Sequence, residues 1–538
     1  MLQLETSDLI VTVVFSAVIG LLTLAVPVAT QSIVNTVAFG NLVQPLVVLS
    51  LVVLALLGVS AVMQTMRFYV VELLQRRVFV RISSDSANRL LRARTDQLEL
   101  HHGPEIVNRF LEVVTLQKAG ATLLVDGLSV LMQTVVGAIL LAVYHPWLLA
   151  FDLILLGSIL VVIFPFGRGA VRSAIEESAA KYDLVAWLEE IARHPTVFRG
   201  RGAMEFALRR ANALVEQYLL HRRVHFRILL RQVSGSWALY ALASASLLGV
   251  GGWLVVARQL TLGQLIAAEL VVALVVSGFS KLGKHLETYY DLLAAMDKLG
   301  YLTDLPLEES GTEKPRVNDE PARLEVNSVE WNGVLQGAAL QLEPGERVAL
   351  CGDSGSGKST LFDIVCRYRE PGSGAVRING QDTRITRIEE LREHVTLVRG
   401  VEVFQGTIMA NVSMGREVCD SIRVREALES AGLLQELEAM PAGLNTPLAT
   451  GGRPLSGGQA VRLMLARAFA GRPRLLLIDE SLDWLDDAAG RDQALQTVFD
   501  PKAPWTLLVA TNRPDIAARC GRVMRLSGGA LIEDGAGR

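Results

Sequence analysis

Apolar residues fill long, uninterrupted stretches in the first part of the chain and give way to short runs in the last part. From Leu9 to Met66 there is no Asp, Glu, Lys or Arg, far beyond the roughly 20 apolar residues that cross a hydrocarbon core once. The softer segment QSIVNTVAFGNLVQP, with Asn35, Gly40, Asn41 and Pro45, predicts a turn between two spans. Further apolar runs at about 123–144, 147–167, 233–257 and 263–283 bring the expectation to about six spans. Past Leu302 the polar, acidic and proline-bearing TDLPLEESGTEKPRVNDEPAR reads as a linker, after which β-like runs alternate with helical patterns. The expected organisation is a helical transmembrane domain over 1–302, a linker over 303–323 and a second, α/β domain over 324–538.

Charge gives the spans a direction. Arg76, Arg77, Arg81, Arg89, Arg92, Arg94 and Lys118 lie between the second and third spans, and FRGRGAMEFALRRANALVEQYLLHRRVHFR lies between the fourth and fifth. The opposite loops, YHPW and ARQLTLG, are almost free of positive charge. The positive-inside rule therefore places both termini and both long loops in the cytoplasm of a cell whose inner (plasma) membrane the chain crosses several times. Leu184, Trp187, Leu188 and Ile191 recur at helical spacing, so these loops are expected to prolong the membrane helices into the cytosol. A cleaved signal peptide would need a basic start, whereas Glu5 and Asp8 precede the first run, which is expected to stay attached.

Composition agrees with this division. The 538 residues are 51% hydrophobic and 20% charged, with a mean hydropathy of +0.35, too apolar for an ordinary soluble enzyme. A net charge of −3 offers no basic signature for nucleic acid. Cys351, Cys366, Cys419 and Cys520 show no paired spacing for a metal or disulfides and fit a reducing cytosol as isolated core residues.

Within the second domain, GERVALCGDSGSGKSTLFDIVCRY runs strand, glycine-rich turn, amphipathic helix. Gly352, Gly357, Lys358 and Ser359 match G-x-x-x-x-G-K-[ST]. The loop Gly352, Asp353, Ser354, Gly355, Ser356, Gly357 can curl its backbone N–H groups round the phosphates of ATP. Lys358 neutralises them, and Ser359, with Thr360 beside it, offers a hydroxyl to Mg²⁺. Downstream, RLLLIDES is a buried strand ending in Asp479 and Glu480, suited to orienting Mg²⁺ and to positioning or deprotonating the attacking water, respectively.

Between these stands LSGGQ, Leu455 to Gln459. With GDSGSGKS before it and LLLIDE after it, the chain resembles an ATP-binding cassette (ABC) exporter half-transporter over nearly its whole length. The resemblance implies six membrane helices followed by one α/β P-loop nucleotide-binding domain. It implies that Ser456, Gly457, Gly458 and Gln459 bind the γ-phosphate of ATP held by a second copy, so that each site needs two chains. Asp486 in DWLD matches the aspartate of the loop after the catalytic acid, and FQGTIMANV resembles the F-x-G-T-I-x-x-N stretch. Trp331 is either the aromatic that stacks on adenine or a buried strand tryptophan. The coupling helices are implied around Gly103–Phe110 and Ala186–His194.

Two positions depart from the family pattern. LVRGVEVF puts Arg399 or Gly400 where a Gln usually reaches Mg²⁺ and water, and LLVATNRPDI puts Asn512 where a His usually contacts the γ-phosphate. Both predict slower hydrolysis with ATP binding retained. Asp152 and Glu269, about six residues inside spans, are candidates for the substrate path or for structural pairing.

Three readings follow. The first is an exporter of the type I secretion kind, with a periplasmic adaptor as candidate partner, since LAVPVATQSIVN and ATNRPDI are similar to that group. The second is a lipid flippase or drug exporter acting alone, and the third is an ATP-gated membrane regulator with very slow hydrolysis. Only eight residues precede the first run, which argues against an exporter that trims its own cargo.

Overall fold

The computed structural model describes residues 6–39, 43–100, 103–280, 282–316, 318–485 and 490–533. The chain divides into two compact units. One comprises Met1–Ala93 with His101–Leu305, and the other Arg94–Leu100 with Pro306–Arg538.

The first unit is helical. Among the described residues, five helical stretches are long and apolar enough to cross a membrane: Thr6–Thr36, Gln44–Arg92, Ile106–Tyr144, Pro146–Ile163 and Arg201–Val256. The sixth expected span is the shorter apolar stretch Leu262–Val275 within the helix Leu262–Ser280. The first stretch breaks into Thr6–Thr23 and Ala25–Phe39. Pro27 lacks an N–H and its ring would meet the carbonyl of Thr23, so the ladder is interrupted there. Between the third and fourth spans, His145 caps the next helix by accepting the N–H of Trp147 at 3.2 Å, and Pro146 takes the first helical position.

Val43–Arg92 is 50 residues long and Arg201–Val256 is 56, so each runs for roughly 75–85 Å at 1.5 Å per residue. That is more than twice the hydrocarbon thickness. Large apolar side chains such as Leu54 and Ile154 point outward at 68% and 71% exposure, as a lipid-facing surface requires. The polar extensions are laced together. Glu112 accepts from Lys181 at 3.0 Å and Tyr182 at 2.9 Å, Arg222 pairs with Glu177 at 3.2 Å, and Gln232 donates to Tyr290 at 3.0 Å.

The implied coupling segments are built differently from one another. Gly103–Asn108 is a short helix followed by a 3₁₀ turn at Arg109–Leu111. Ala186–Arg193 is instead the end of the 24-residue helix Ala170–Arg193, and a separate short turn comes only at Val197–Arg199. Pro195 sets that boundary, because it disfavours a helical conformation at His194.

Among the described residues the second unit holds two large sheets and a two-stranded one that pairs Gly406–Thr407 with Pro447–Leu448. A four-stranded antiparallel sheet runs in the order Leu335–Leu342, Leu324–Trp331, Ser373–Ile378, Gln381–Asp382. A six-stranded sheet runs Ala530–Glu533, Arg522–Ser527, Arg347–Cys351, Thr506–Ala510, Leu475–Asp479, Val395–Arg399, parallel except at its first edge. Its central strands read as continuous apolar runs because both faces are covered. Leu475, Leu477, Leu508 and Ala510 enter one core with Leu361, Phe362 and Ile364. Leu476, Ile478, Leu507 and Val509 enter the other with Val461, Leu463 and Leu465. Alternate residues of a strand point to opposite faces, so the helices Lys358–Val365 and Gly457–Gly471 pack on opposite sides of one sheet.

The polar segment after Pro306 is tied down. Gly311 and Glu313 donate to Thr386 and Ile385 at 3.1 and 2.9 Å, and Arg392 makes a bidentate pair with Glu308 at 2.7 and 2.8 Å. All four cysteines are free, Cys366 and Cys419 buried, Cys351 and Cys520 only half-buried. Burial pushes the Cys366 and Cys520 thiols up to about 12, which removes them from thiolate chemistry.

Candidate nucleotide site

The strand Arg347–Cys351 delivers the chain into the glycine-rich turn. Gly352 adopts φ 155°, and a Cβ there would stand 2.6 Å from the carbonyl oxygen of Leu526. Gly357 adopts φ 105°, and a Cβ would press on Val334 at 3.0 Å. Only glycine suits both places. The helix Lys358–Val365 follows at once, and its first N–H groups have no partner within the helix, leaving an anion-binding end. Lys358 is 5% exposed. Its Nζ donates to the carbonyls of Gly352 and Asp353 at 2.7 and 3.2 Å and lies 3.3 Å from Glu480 Oε1. The cation expected at the phosphates and the acid expected at the water are therefore adjacent.

Asp479 ends its strand and Glu480 follows at φ 53°, a left-handed conformation unusual for a glutamate. The Glu480 N–H donates to Ala510 O at 3.0 Å, which holds this backbone in place. On the neighbouring parallel strand Arg399 lies in register with Asp479. Arg399 Nε donates to Asp479 Oδ2 at 2.7 Å, Nη1 to Asp363 Oδ1 at 2.8 Å and Nη2 to Ser359 O at 2.9 Å. Of the two residues considered for the glutamine position, it is Arg399 whose side chain reaches this corner. Burial opposes its charge, but the two carboxylates outweigh burial and raise its pKa above the ordinary guanidinium value.

Asp363 was not singled out from sequence. It is 5% exposed and also accepts from Arg369 Nε at 2.9 Å, and the Arg369 guanidinium lies 5.1 Å from the centre of the Trp331 ring. A charged chain, Asp479 to Arg399 to Asp363 to Arg369, thus runs to the aromatic candidate for the base. Trp331 is half-buried at a strand end, and its carbonyl accepts from Val334, the residue against Gly357. One face is covered by a cation.

The switch segment is organised by Asp483. One of its carboxylate oxygens accepts from the Thr511 hydroxyl and the other from the Asn512 N–H at 3.2 Å. The Asn512 residue is exposed. Asp486 lies outside the described residues. After Arg399 the chain is pinned by the fully buried Asn411, which accepts the Phe404 N–H at 3.2 Å and donates to Phe404 O at 3.0 Å. Arg467, on the helix Gly457–Gly471, donates to Glu402 O at 2.9 Å and to Asn411 O at 2.7 Å. The loop after Arg399 and the LSGGQ helix are thereby joined.

Ser456 caps that helix. Its hydroxyl accepts the Gln459 N–H at 3.3 Å while the Gln459 side chain accepts the Ser456 N–H at 2.8 Å, a reciprocal capping box. Gln459 Nε2 also donates to Glu436 at 2.6 Å, and Arg462 pairs with the same carboxylate at 2.7 Å. Gly457 and Gly458 begin the helix with open space where a Cβ would stand. The body of this helix packs on the face of the sheet opposite the one that carries the helix after the phosphate loop.

The fit for Mg²⁺ rests on Ser359 and Asp479. Asp479 is 6% exposed, and while Oδ2 is taken by Arg399, the buried Oδ1 has no hydrogen-bond partner among the described residues. Together with the exposed Ser359 hydroxyl it supplies hard oxygen donors of the kind Mg²⁺ accepts, with waters and phosphate oxygens filling the other positions. Such an ion would supply positive charge to the phosphates.

In the membrane unit, Asp152 is 8% exposed, borders a mostly apolar cavity of about 310 Å³ with Thr134 and Val272, and its Oδ2 has no partner among the described residues. Glu269 Oε2 is likewise buried and, among the described residues, without a hydrogen-bond partner. Sequence reading passed over Arg67, 5% exposed, which donates to Ser16 at 3.1 Å and Ser129 at 2.5 Å. An arginine beside an apolar run was the available signal.

A family model described as the ABC transporter transmembrane region matches residues 9–278, and one described as ABC transporter matches residues 335–483. The chain belongs to the ABC transporters, with the membrane and nucleotide-binding parts in one polypeptide. In fold it is similar to a bacterial Atm1-family ABC exporter solved with ATP bound, with TM-score 0.82 and 21% identity over 99% of this chain and 95% of that one. Among curated proteins it is 32% identical over 52% of its length to an ATP-dependent lipid A-core flippase of Burkholderia pseudomallei, and covers 48% of that protein. It is 33% identical over 43% of its length to the ABC-type transporter fsqE of Aspergillus fumigatus, of which it covers 19%. The chain thus spans half or less of the length of these relatives.

Proposed function

We propose that two copies of this chain form an ATP-driven exporter in the inner membrane of a bacterium, with the nucleotide-binding domains in the cytoplasm. The observation that carries this reading is the placement of the phosphate loop and the LSGGQ helix on opposite faces of one sheet. A nucleotide held by Lys358 and Ser359 meets Ser456, Gly457 and Gly458 only if a second chain supplies them. Closure of two such sandwiches pulls the domains together, and the long helices carry the motion to the spans as a rigid-body switch. Lys358 binds phosphate, Glu480 orients the water and accepts its proton, and Asn512 contacts the γ-phosphate by hydrogen bonding alone.

Turnover is slow in this reading, because Arg399 stands where a neutral ligand for the ion would be useful and Asn512 carries no positive charge. The cargo is an amphiphile: the flippases among the relatives and the carboxylate at an apolar membrane cavity both favour it over a secreted protein that requires a periplasmic adaptor. Native mass spectrometry and ATPase assays of the purified chain in lipid test the proposal. Two-copy particles with slow ATPase stimulated by amphiphiles, without any adaptor, are expected. Single-copy particles, or an ATPase that responds only when an adaptor is added, would overturn it.

A further inference from the structure

Asp152 stands about six residues past Pro146, where its helix begins, or about 9 Å along the span at 1.5 Å per residue. At i−4, i−3, i+3 and i+4 it is flanked by Leu148, Leu149, Leu155 and Leu156, so no such neighbour on its own helix can pair with it. The residue is 8% exposed, and its Oδ2 has no hydrogen-bond partner among the described residues. The cavity of about 310 Å³ that it borders is otherwise lined by aliphatic side chains and Thr134, and the Thr134 hydroxyl already donates to Val130 O at 2.7 Å. The described lining therefore offers the carboxylate no donor, and a buried charge in that position is costly. Ile139, Leu153 and Leu156 of the lining are exposed, so the cavity opens sideways, onto surface that acyl chains would cover.

We propose that Asp152 is the anionic anchor of a membrane-side site for a single-chain cationic amphiphile, whose ammonium group pairs with the carboxylate while its chain lies along Ile139, Leu153 and Leu156. The inference rests on the reading of the cargo as an amphiphile and adds the sign of its charge. A cation supplies what the lining lacks, because it turns an isolated buried charge into a pair. An anionic amphiphile would meet repulsion, and a neutral one would leave the carboxylate without a counter-charge. The cavity is at the small end of ligand sites. It suits one head and the first part of one chain, which favours a free amphiphile over a two-chain lipid.

The test is equilibrium binding of decyltrimethylammonium and of N,N-dimethyldecylamine N-oxide to the full chain in phosphatidylcholine nanodiscs, with partition into empty nanodiscs subtracted. The two probes share chain length and head size, and at mildly alkaline pH only the first carries a net charge. The wild type should bind the cation at least about tenfold more tightly than the N-oxide. Asp152→Asn should reduce that preference to less than about threefold, with N-oxide binding within about threefold of wild type. Equal binding of the two probes by the wild type, or a variant that keeps the preference, would overturn the inference. Loss of cation binding on enriching the nanodiscs in phosphatidylethanolamine would also overturn it, by giving the site to a lipid amine. The wild-type preference is read without any variant, so a variant that fails to fold does not blunt the test. Equal stimulation of the ATPase by both probes, with no preference in binding, would sink this inference and leave the amphiphile reading standing. No binding and no stimulation by either probe would sink both.

Discussion

Arg399 Nε donates to Asp479 Oδ2 at 2.7 Å across adjacent parallel strands in which the two residues are in register. Side chains of in-register residues on one sheet face are neighbours, so the contact follows from strand pairing and not from a flexible side chain finding a partner. The consequence is that the carboxylate expected to hold the ion already has a cation as partner.

Glu480 and Lys358 form the other decisive pair, at 3.3 Å. Glu480→Gln keeps the shape but loses the charge that activates water, so ATP binding should persist while hydrolysis falls by at least about two orders of magnitude. The closed dimer should accumulate, read as an ATP-dependent crosslink between copies. Lys358→Ala should instead weaken ATP binding. A Gln variant hydrolysing at the wild-type rate would show that Glu480 is not the base.

Asp483→Asn should loosen the Thr511–Asn512 segment, because one of its two acceptor oxygens becomes a donor. A charge-assisted bond is worth on the order of 1.5–3 kcal/mol, less where it is exposed as at Asn512. A lower kcat with ATP affinity kept is expected, measured by steady-state kinetics beside a binding isotherm. Equal loss of both would assign Asp483 to the stability of the whole domain.

The motif residues were legible because glycines, a lysine, hydroxyls and acids at fixed spacing have one economical explanation. The partners that position them were not. Asp363 sits in an amphipathic helix with nothing local to mark it, and its role appears only when Arg399 reaches it from another strand while Arg369, just past the helix, takes its other oxygen. Arg467 likewise looks like one of many arginines until folding brings it to Asn411 and Glu402. Five of the about six expected membrane spans were legible from apolar length alone, while the sixth falls on the shorter stretch Leu262–Val275. The break at Leu24 and the long run through Ala186–Arg193 depended on single prolines acting on an otherwise continuous pattern.

Asp152→Asn should alter amphiphile-stimulated ATPase more than basal ATPase, since the carboxylate borders an apolar cavity and its Oδ2 has no partner among the described residues. Stimulation curves before and after substitution measure this. A parallel fall in both activities with a lower Tm would make Asp152 a packing residue.

Steady-state ATPase of the dimer in lipid tests whether Arg399 and Asn512 attenuate a two-copy ATPase. A histidine at position 512 regains a charge-assisted contact worth on the order of 1.5–3 kcal/mol. At about 1.36 kcal/mol per decade, Asn512→His should raise kcat about tenfold or more with little change in KM. The combined Arg399→Gln, Asn512→His protein should be at least as fast. A wild type that is already fast, and that Asn512→His slows, would contradict the account and make Arg399 and Asn512 working parts of a differently built site.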